Sequence, residues 1–274
     1  MKTLNLSLFI ILIFLSAHSE RNESGKPAIP LSNEDLHLYL LMGQSNMAGR
    51  GEIEAIETLA DPRVFMLDKE MKWVPAKDPM HFDKPAAGVG LGLTFGKIMA
   101  NDDPTIRIGL IPTAVGGSSI NAWFKDSLHH QTNTYPYNDM IRRAKAAMKE
   151  GTLKGILWHQ GESDSNTKEG IADYPEKFHA MVDSLKADLG ITSIPIVIGE
   201  IGHFIYSKSP LAENLNEMLA QISSQDDCLG LVRSFGLQHK GDSTHFNTDS
   251  YHELGKRYAA KMKEIQLSCP AIAK

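Results

Sequence analysis

Short apolar runs alternating with segments of helical periodicity constrain the fold of this chain more than any other feature. The runs are His37–Met42, Val64–Leu67, Ile106–Thr113, Gly155–His159, Ile194–Ile201 and Leu229–Val232. They are rich in Leu, Ile and Val with little polar alternation, the pattern of strands covered on both faces. Between them, Tyr174, Phe178, Met181, Val182 and Leu185 recur at spacings of three and four, and Gly190 follows as a stop. A last stripe, Tyr251, Leu254, Tyr258, Met262 and Ile265, predicts a C-terminal helix with Thr248 or Ser250 as its N-cap. Strand–helix alternation with short connections predicts a parallel sheet packed between helices. No repeat, low-complexity tract or long linker divides the chain, so residues 20–274 read as one domain.

The first nineteen residues follow another logic. Lys2 gives a positive start, Leu8 to Leu15 is an unbroken apolar run, and Ala17-His18-Ser19 offers small residues for cleavage. This is the layout of a secretory signal peptide, and the run is too short to span a bilayer. Residues 1–19 are therefore set aside as a signal peptide, with a membrane anchor as the alternative and no membrane span after cleavage. The mature protein is expected to be secreted or periplasmic. The two cysteines, Cys228 and Cys269, are compatible with pairing in an oxidising compartment or with two separate thiols.

The formal charge of −5 comes with no basic stripe interleaved with aromatics, which excludes nucleic acid as a natural partner. There is no G-x-G-x-x-G after a strand and no P-loop, so no nucleotide cofactor is expected. There is no H-E-x-x-H, and the adjacent pair His129-His130 cannot share one helical face, so no metal is expected either.

Ligands of parallel α/β sheets sit at the carboxyl ends of the strands, so the residues after each run carry the functional reading. The first run ends in Gly43-Gln44-Ser45-Asn46-Met47, the third leads into Gly116-Gly117-Ser118-Ser119, and the fourth ends in His159-Gln160-Gly161-Glu162-Ser163-Asp164. Asp242-Ser243-Thr244-His245 precedes the final helix. A serine at a strand-to-helix turn presents its hydroxyl and its own N–H to one side, or simply caps the helix. A base is needed to take the hydroxyl proton, and the base needs an orienting carboxylate. Ser45 as nucleophile, His245 as base and Asp242 as orienter fill those roles. The N–H groups of Ser45 and Gly117 with the side-chain amide of Gln160 would form an oxyanion hole from three strand ends. Gly116 is the alternative to Gly117. No G-x-S-x-G elbow is present, which sets the chain apart from the usual α/β-hydrolases.

These blocks, in this order, resemble the SGNH hydrolase superfamily, and within it the branch of sialate O-acetylesterases and carbohydrate esterase family six. The resemblance runs from about Leu38 to Met262. It includes Gly43 to Gly49, Pro62-Arg63-Val64, Trp73 to Ala76, Gly88-Val89-Gly90, Gly109 to Pro112, Gly116 to Trp123, Trp158 to Ser163, and Asp242 to His245. It implies a flavodoxin-like three-layer sandwich with a central parallel sheet of about five strands. It also implies hydrolysis of O-acetyl esters on an acetylated carbohydrate (acetylxylan or sialate type) through an acyl-serine, without cofactors. Glu162 is a further feature of the branch, expected to hold its loop through backbone hydrogen bonds. Other readings are a lipase or thioesterase of the same superfamily and a non-catalytic carbohydrate-binding protein. Specificity is expected in the loops Lys69–Gly88 and Trp123–Asn138, with Trp123 either stacking on a sugar or buried in the core.

Overall fold

A computed structural model describes residues 35–53, 61–269 and 271–273; the expected signal peptide, residues 1–19, lies outside the described residues. In chain order the elements are β1 (Leu36–Gly43), α1 (Ser45–Ala48), β2 (Val64–Leu67), β3 (Trp73–Pro75), α2 (Leu91–Asp102), β4 (Arg107–Pro112), α3 (Pro136–Ala147), β5 (Thr152–His159), α4 (Lys168–Ala172), α5 (Tyr174–Leu189), β6 (Ile191–Ser193), β7 (Ile196–Gly199), α6 (Ala212–Ser223), β8 (Leu229–Val232), α7 (Thr248–Ser268) and β9 (Ile272–Ala273).

All six apolar runs are strands of one sheet, whose order is β3-β2-β4-β1-β5-β7-β8. Every neighbouring pair is parallel except β2 with β3. The five strands β4-β1-β5-β7-β8 carry the flavodoxin-like order, second-first-third-fourth-fifth. The sheet is wider than the expected five strands because β2 extends it beyond β4 and the short β3 folds back on β2. β3, three residues ending in Pro75, is too brief to show a strand period in the sequence. β6 and β9 form a separate two-stranded antiparallel pair.

The sheet is covered on both sides because successive strand residues point to opposite faces. Leu38, Leu40 and Met42 of β1 enter one core with Tyr137, Met140, Phe178, Leu185, Leu215 and Leu219 from α3, α5 and α6. Tyr39 and Leu41 enter the other with Phe95, Leu254, Tyr258 and Met262 from α2 and α7. The predicted stripe of α5 is buried in full, and Gly190 closes that helix in the left-handed conformation, with φ +67°. The N-cap of α7 is Asn247, whose side chain accepts from the Ser250 N–H, rather than Thr248 or Ser250. Trp123 is fully buried and meets Trp158 edge-to-face at 5.3 Å, so it belongs to the core and is not a stacking surface for sugar. Cys228 and Cys269 are joined as a disulfide, tying the start of β8 to the end of α7. Among the described residues no helix is long and apolar enough to cross a membrane.

Candidate active site

The chain leaves β1 to one side of the sheet, to β4, and later to the other side, to β5. The carboxyl ends of β1 and β5 therefore flank the point where strand order reverses, and a crevice opens there. Gly43 ends β1 at φ +133°, and a Cβ on it would lie 2.1 Å from the His159 carbonyl oxygen. Only glycine permits this approach, which delivers Ser45 to the first turn of α1 beside the end of β5.

Ser45 Oγ lies 3.0 Å from His245 Nε2, although the two residues are 200 positions apart. On the other ring nitrogen, His245 Nδ1 meets Asp242 Oδ2 at 2.7 Å. Asp242 Oδ1 accepts from the N–H of Thr244 at 2.9 Å and of His245 at 2.8 Å, so one short loop holds both groups. With the Nδ1 proton donated to the carboxylate, Nε2 is left to accept from the serine. Burial pushes the His245 imidazole below its ordinary 6.5. Asp242 opposes that shift, and the cations Arg50 and Lys240 add to it. Burial acts to raise the Asp242 carboxyl, but the hydrogen bonds from His245 and Thr244 outweigh it and hold it down to about 2.

The backbone donors divide cleanly. The Gly116 N–H donates to Asp83 Oδ2 at 2.8 Å, so it is already occupied. The N–H groups of Ser45 and Gly117 donate to no partner among the described residues. Of the two glycines, Gly117 is the one left open.

Gln160 takes a different place from the one expected. Its side chain is fully buried, and Nε2 lies within hydrogen-bonding reach of Gln44 Oε1 (3.1 Å), the Ser118 carbonyl (3.1 Å) and Asp164 Oδ2 (2.5 Å). Its Oε1 accepts from the Tyr174 hydroxyl at 2.8 Å. An amide nitrogen has two hydrogens, and both are spent inside the protein. Gln160 therefore braces the loops under the crevice and does not offer a third oxyanion donor. Asp164, four residues on, also accepts from the Ile120 N–H, and Ser163 Oγ donates to the Gly117 carbonyl at 3.2 Å. The glycine loop is thus fastened to the end of β5.

Two groups emerge that sequence reasoning did not single out. Asn46 is fully buried. Its Nδ2 donates to the Thr244 carbonyl (3.0 Å) and to Glu162 Oε1 (2.5 Å). Its Oδ1 accepts from the Phe246 N–H (3.3 Å) and the Tyr251 hydroxyl (2.8 Å). One amide thereby grips the peptide groups on both sides of His245. The signal was its place directly after Ser45. Glu162 meets the side chain of Asn46 rather than holding its loop through backbone bonds alone; its Oε2 is buried without a partner among the described residues, and burial pushes its carboxyl up to about 7. The second group is an ion pair of Arg50 and Asp83 at 2.6 Å, with side chains only 5% and 1% exposed. It stands beside Gly116: a Cβ there would lie 2.4 Å from Arg50 Nη2 and 3.5 Å from Ser45 Cβ.

Known proteins share the sequence pattern and the fold of this chain. The family model described as carbohydrate esterase, sialic acid-specific acetylesterase, matches residues 35–264. A probable carbohydrate esterase of Arabidopsis thaliana, At4g34215, is 28% identical over 250 residues, covering 84% of this chain and 91% of the relative. Its crystal structure superposes with a TM-score of 0.74 at 26% identity, covering 83% of this chain and 97% of that one. NanS shares the fold, with a TM-score of 0.69 at 17% identity, over 86% of this chain and 99% of that one. So does XAC1771, a carbohydrate acetylesterase from Xanthomonas citri, with a TM-score of 0.67 at 21% identity, over 85% of this chain and 57% of that one.

Proposed function

This chain belongs to the sialic acid-specific acetylesterase family of carbohydrate esterases, a carboxylic ester hydrolase for O-acetyl groups on carbohydrates, and we propose that it works through an acyl-serine at Ser45. The observation that carries this reading is the unbroken line from Ser45 Oγ through the His245 imidazole to the Asp242 carboxylate, with steps of 3.0 and 2.7 Å.

His245 Nε2 takes the hydroxyl proton as Ser45 Oγ attacks the acetyl carbonyl carbon. The oxygen that gains negative charge is held by the N–H groups of Ser45 and Gly117; each such donor is worth about 10²–10³ in rate. Asp242 stabilises the imidazolium formed in this step. The tetrahedral intermediate then breaks its bond to the sugar oxygen, which leaves with the proton from His245. Water, its proton taken by the same imidazole, attacks the acetyl-serine carbonyl, and acetate departs as Ser45 regains its hydrogen. Gln160, Asp164 and Asn46 hold the loops that carry these groups.

Export to an oxidising compartment is part of the proposal. The Lys2-plus-apolar start and the Cys228–Cys269 bond support it, since disulfides persist in secreted and periplasmic proteins. The direct test of the mechanism is acetate release from acetylated glycans and p-nitrophenyl acetate by Ser45→Ala. We expect a loss of about 10⁴-fold or more in kcat; a folded variant with near-wild-type turnover refutes the acyl-serine.

A further inference from the structure

Beside Ser45 lies a buried ion pair that the hydrolytic steps above do not use. Arg50 Nη2 donates to Asp83 Oδ2 at 2.6 Å, with the two side chains 5% and 1% exposed. Arg50 Nη1 donates to the Gly49 carbonyl at 2.7 Å. The same Asp83 oxygen accepts from the Gly116 N–H at 2.8 Å. One carboxylate oxygen thus joins the segment that carries Ser45 to the turn that follows β4. Taking two charges out of water is costly, so a pair buried here calls for an account beyond stability.

That turn runs from Val115 to Ser118. The Ser118 N–H closes it on the Val115 carbonyl at 3.2 Å, and Gly117, its third residue, has φ +84°. These are the marks of a type II turn, which differs from type I by a flip of the central peptide. Here the central peptide carries the Gly117 N–H, the donor assigned to the oxyanion. The peptide before it is held at both ends, by the Gly116 N–H on Asp83 and the Val115 carbonyl on Ser118. The peptide after it is held through the Gly117 carbonyl, which accepts from Ser163 Oγ at 3.2 Å. Loosening either flank frees the central peptide to rotate.

We propose that Arg50 and Asp83 are positioning residues for the hydrolysis. Asp83 fastens the turn so that the Gly117 N–H keeps its aim at the reacting carbonyl, and Arg50 orients Asp83 while setting a fixed positive charge beside Ser45. The proposal rests on the acyl-serine reading above. A Cβ built on Gly116 would lie 2.4 Å from Arg50 Nη2, 2.8 Å from Asp83 Oδ2 and 3.5 Å from Ser45 Cβ, so the pair and the nucleophile share one small region. A fixed cation there favours the oxygen that turns negative in the tetrahedral intermediate and opposes the imidazolium. Arg50 is accordingly among the cations that press His245 below 6.5. Asp242 and Lys240 of its own loop also act on that imidazole. Lys208 and His239 bond to the backbone of the loop, and Glu162 and Tyr251 reach it through Asn46. All six stay unaltered in the variants below. His81 faces the pair itself, and burial holds it down to about 4, so it stays neutral.

The test compares Asp83→Ala, Asp83→Asn and Arg50→Met on p-nitrophenyl acetate. Asp83→Ala removes the acceptor of the Gly116 N–H. We expect kcat to fall about tenfold to a hundredfold with KM within about threefold, part of the 10²–10³ or so that an oxyanion donor supplies. Asp83→Asn keeps an oxygen for that N–H and should recover most of the loss. It also leaves the Arg50 charge uncompensated, so the acid limb of kcat/KM moves to lower pH, whereas Arg50→Met moves it to higher pH. A pair that only supports the fold does not shift the limb in opposite directions. The wild type gives a second readout by NMR: the Gly116 amide should exchange with deuterium at least about tenfold more slowly than that of Gly117. Wild-type kcat in folded Asp83→Ala, no recovery in Asp83→Asn, coincident acid limbs, or equal exchange at the two glycines overturns the proposal. Where the alanine variant does not fold, Asp83→Asn and the exchange rates decide. Turnover kept by folded Ser45→Ala sinks the acyl-serine reading, and the exchange rates still decide how the turn is held. An inactive Ser45→Ala beside an Asp83→Ala of unchanged kcat sinks the positioning role alone.

Discussion

Asn46 satisfies all four of its hydrogen-bonding positions inside the protein, and two of them are the peptide groups flanking His245, the proposed base. Asn46→Ala leaves the Thr244 carbonyl, the Phe246 N–H and the Tyr251 hydroxyl without their partner, at about 1–3 kcal/mol for each group left buried. We expect a clear fall in melting temperature and a drop of at least about tenfold in kcat with KM little changed. The reason is that His245 drifts while the sugar contacts stay. Unchanged kcat in a folded variant removes Asn46 from the positioning of the base. The same imidazole sets the acid limb of activity. Burial disfavours its charged form, so neutral, base-competent His245 persists below pH 6.5, and kcat/KM should begin to fall only at a pH lower than that. Lys240 is one of the cations that press in this direction, so Lys240→Ala should move the acid limb upward. A pH profile of acetate release that shifts downward, or stays put, contradicts the assignment.

The decisive contact at the scale of elements is the approach of β1 to β5. Gly43 at φ +133° faces the His159 carbonyl so closely that Gly43→Ala must push the two strand ends apart. We expect a loss of about 3 kcal/mol or more by denaturant titration, with activity falling alongside because Ser45 rides on the displaced end. Gly190 at the end of α5 is the control. Its φ of +67° is left-handed, but no atom lies within 4 Å of an added Cβ. Gly190→Ala should therefore cost only the conformational strain, about 1–2 kcal/mol, and leave kcat intact. Similar losses from both substitutions show that the β1–β5 contact is not the constraint argued here.

In the molecule as a whole, covalent reinforcement and chemistry lie at opposite ends of the strands. The groups proposed for catalysis follow the carboxyl ends of β1 (Ser45), β4 (Gly117) and β8 (Asp242 and His245), whereas Cys228 precedes β8 and Cys269 follows α7. The disulfide closes a loop with a sequence separation of 41, for which the chain-entropy account gives about 4 kcal/mol at most. Cys228→Ser/Cys269→Ser should lower thermal stability, read by calorimetry, and leave kcat/KM on p-nitrophenyl acetate within about twofold at moderate temperature. A large loss of activity in the folded double variant shows that the far end of the sheet does shape the crevice.

The fold class and the layering of helices on a parallel sheet were legible in the chain because a strand buried on both faces leaves an unbroken apolar run and a half-buried helix leaves an apolar stripe of period 3.6. Leu38 to Met42 and the stripe from Tyr174 to Leu185 are such marks. Ser45, Asp242 and His245 were legible because each sits in a short motif after a strand or before a helix. What only the folded molecule decided is how polar groups are paired. Whether Gly116 or Gly117 keeps its N–H open, where the Gln160 amide spends its hydrogens, and that Asn46 reaches both sides of His245 are questions of ångströms and angles between segments far apart in sequence. A hydrogen bond reaches about 3 Å and has direction, and neither property is written in the spacing of residues along a chain.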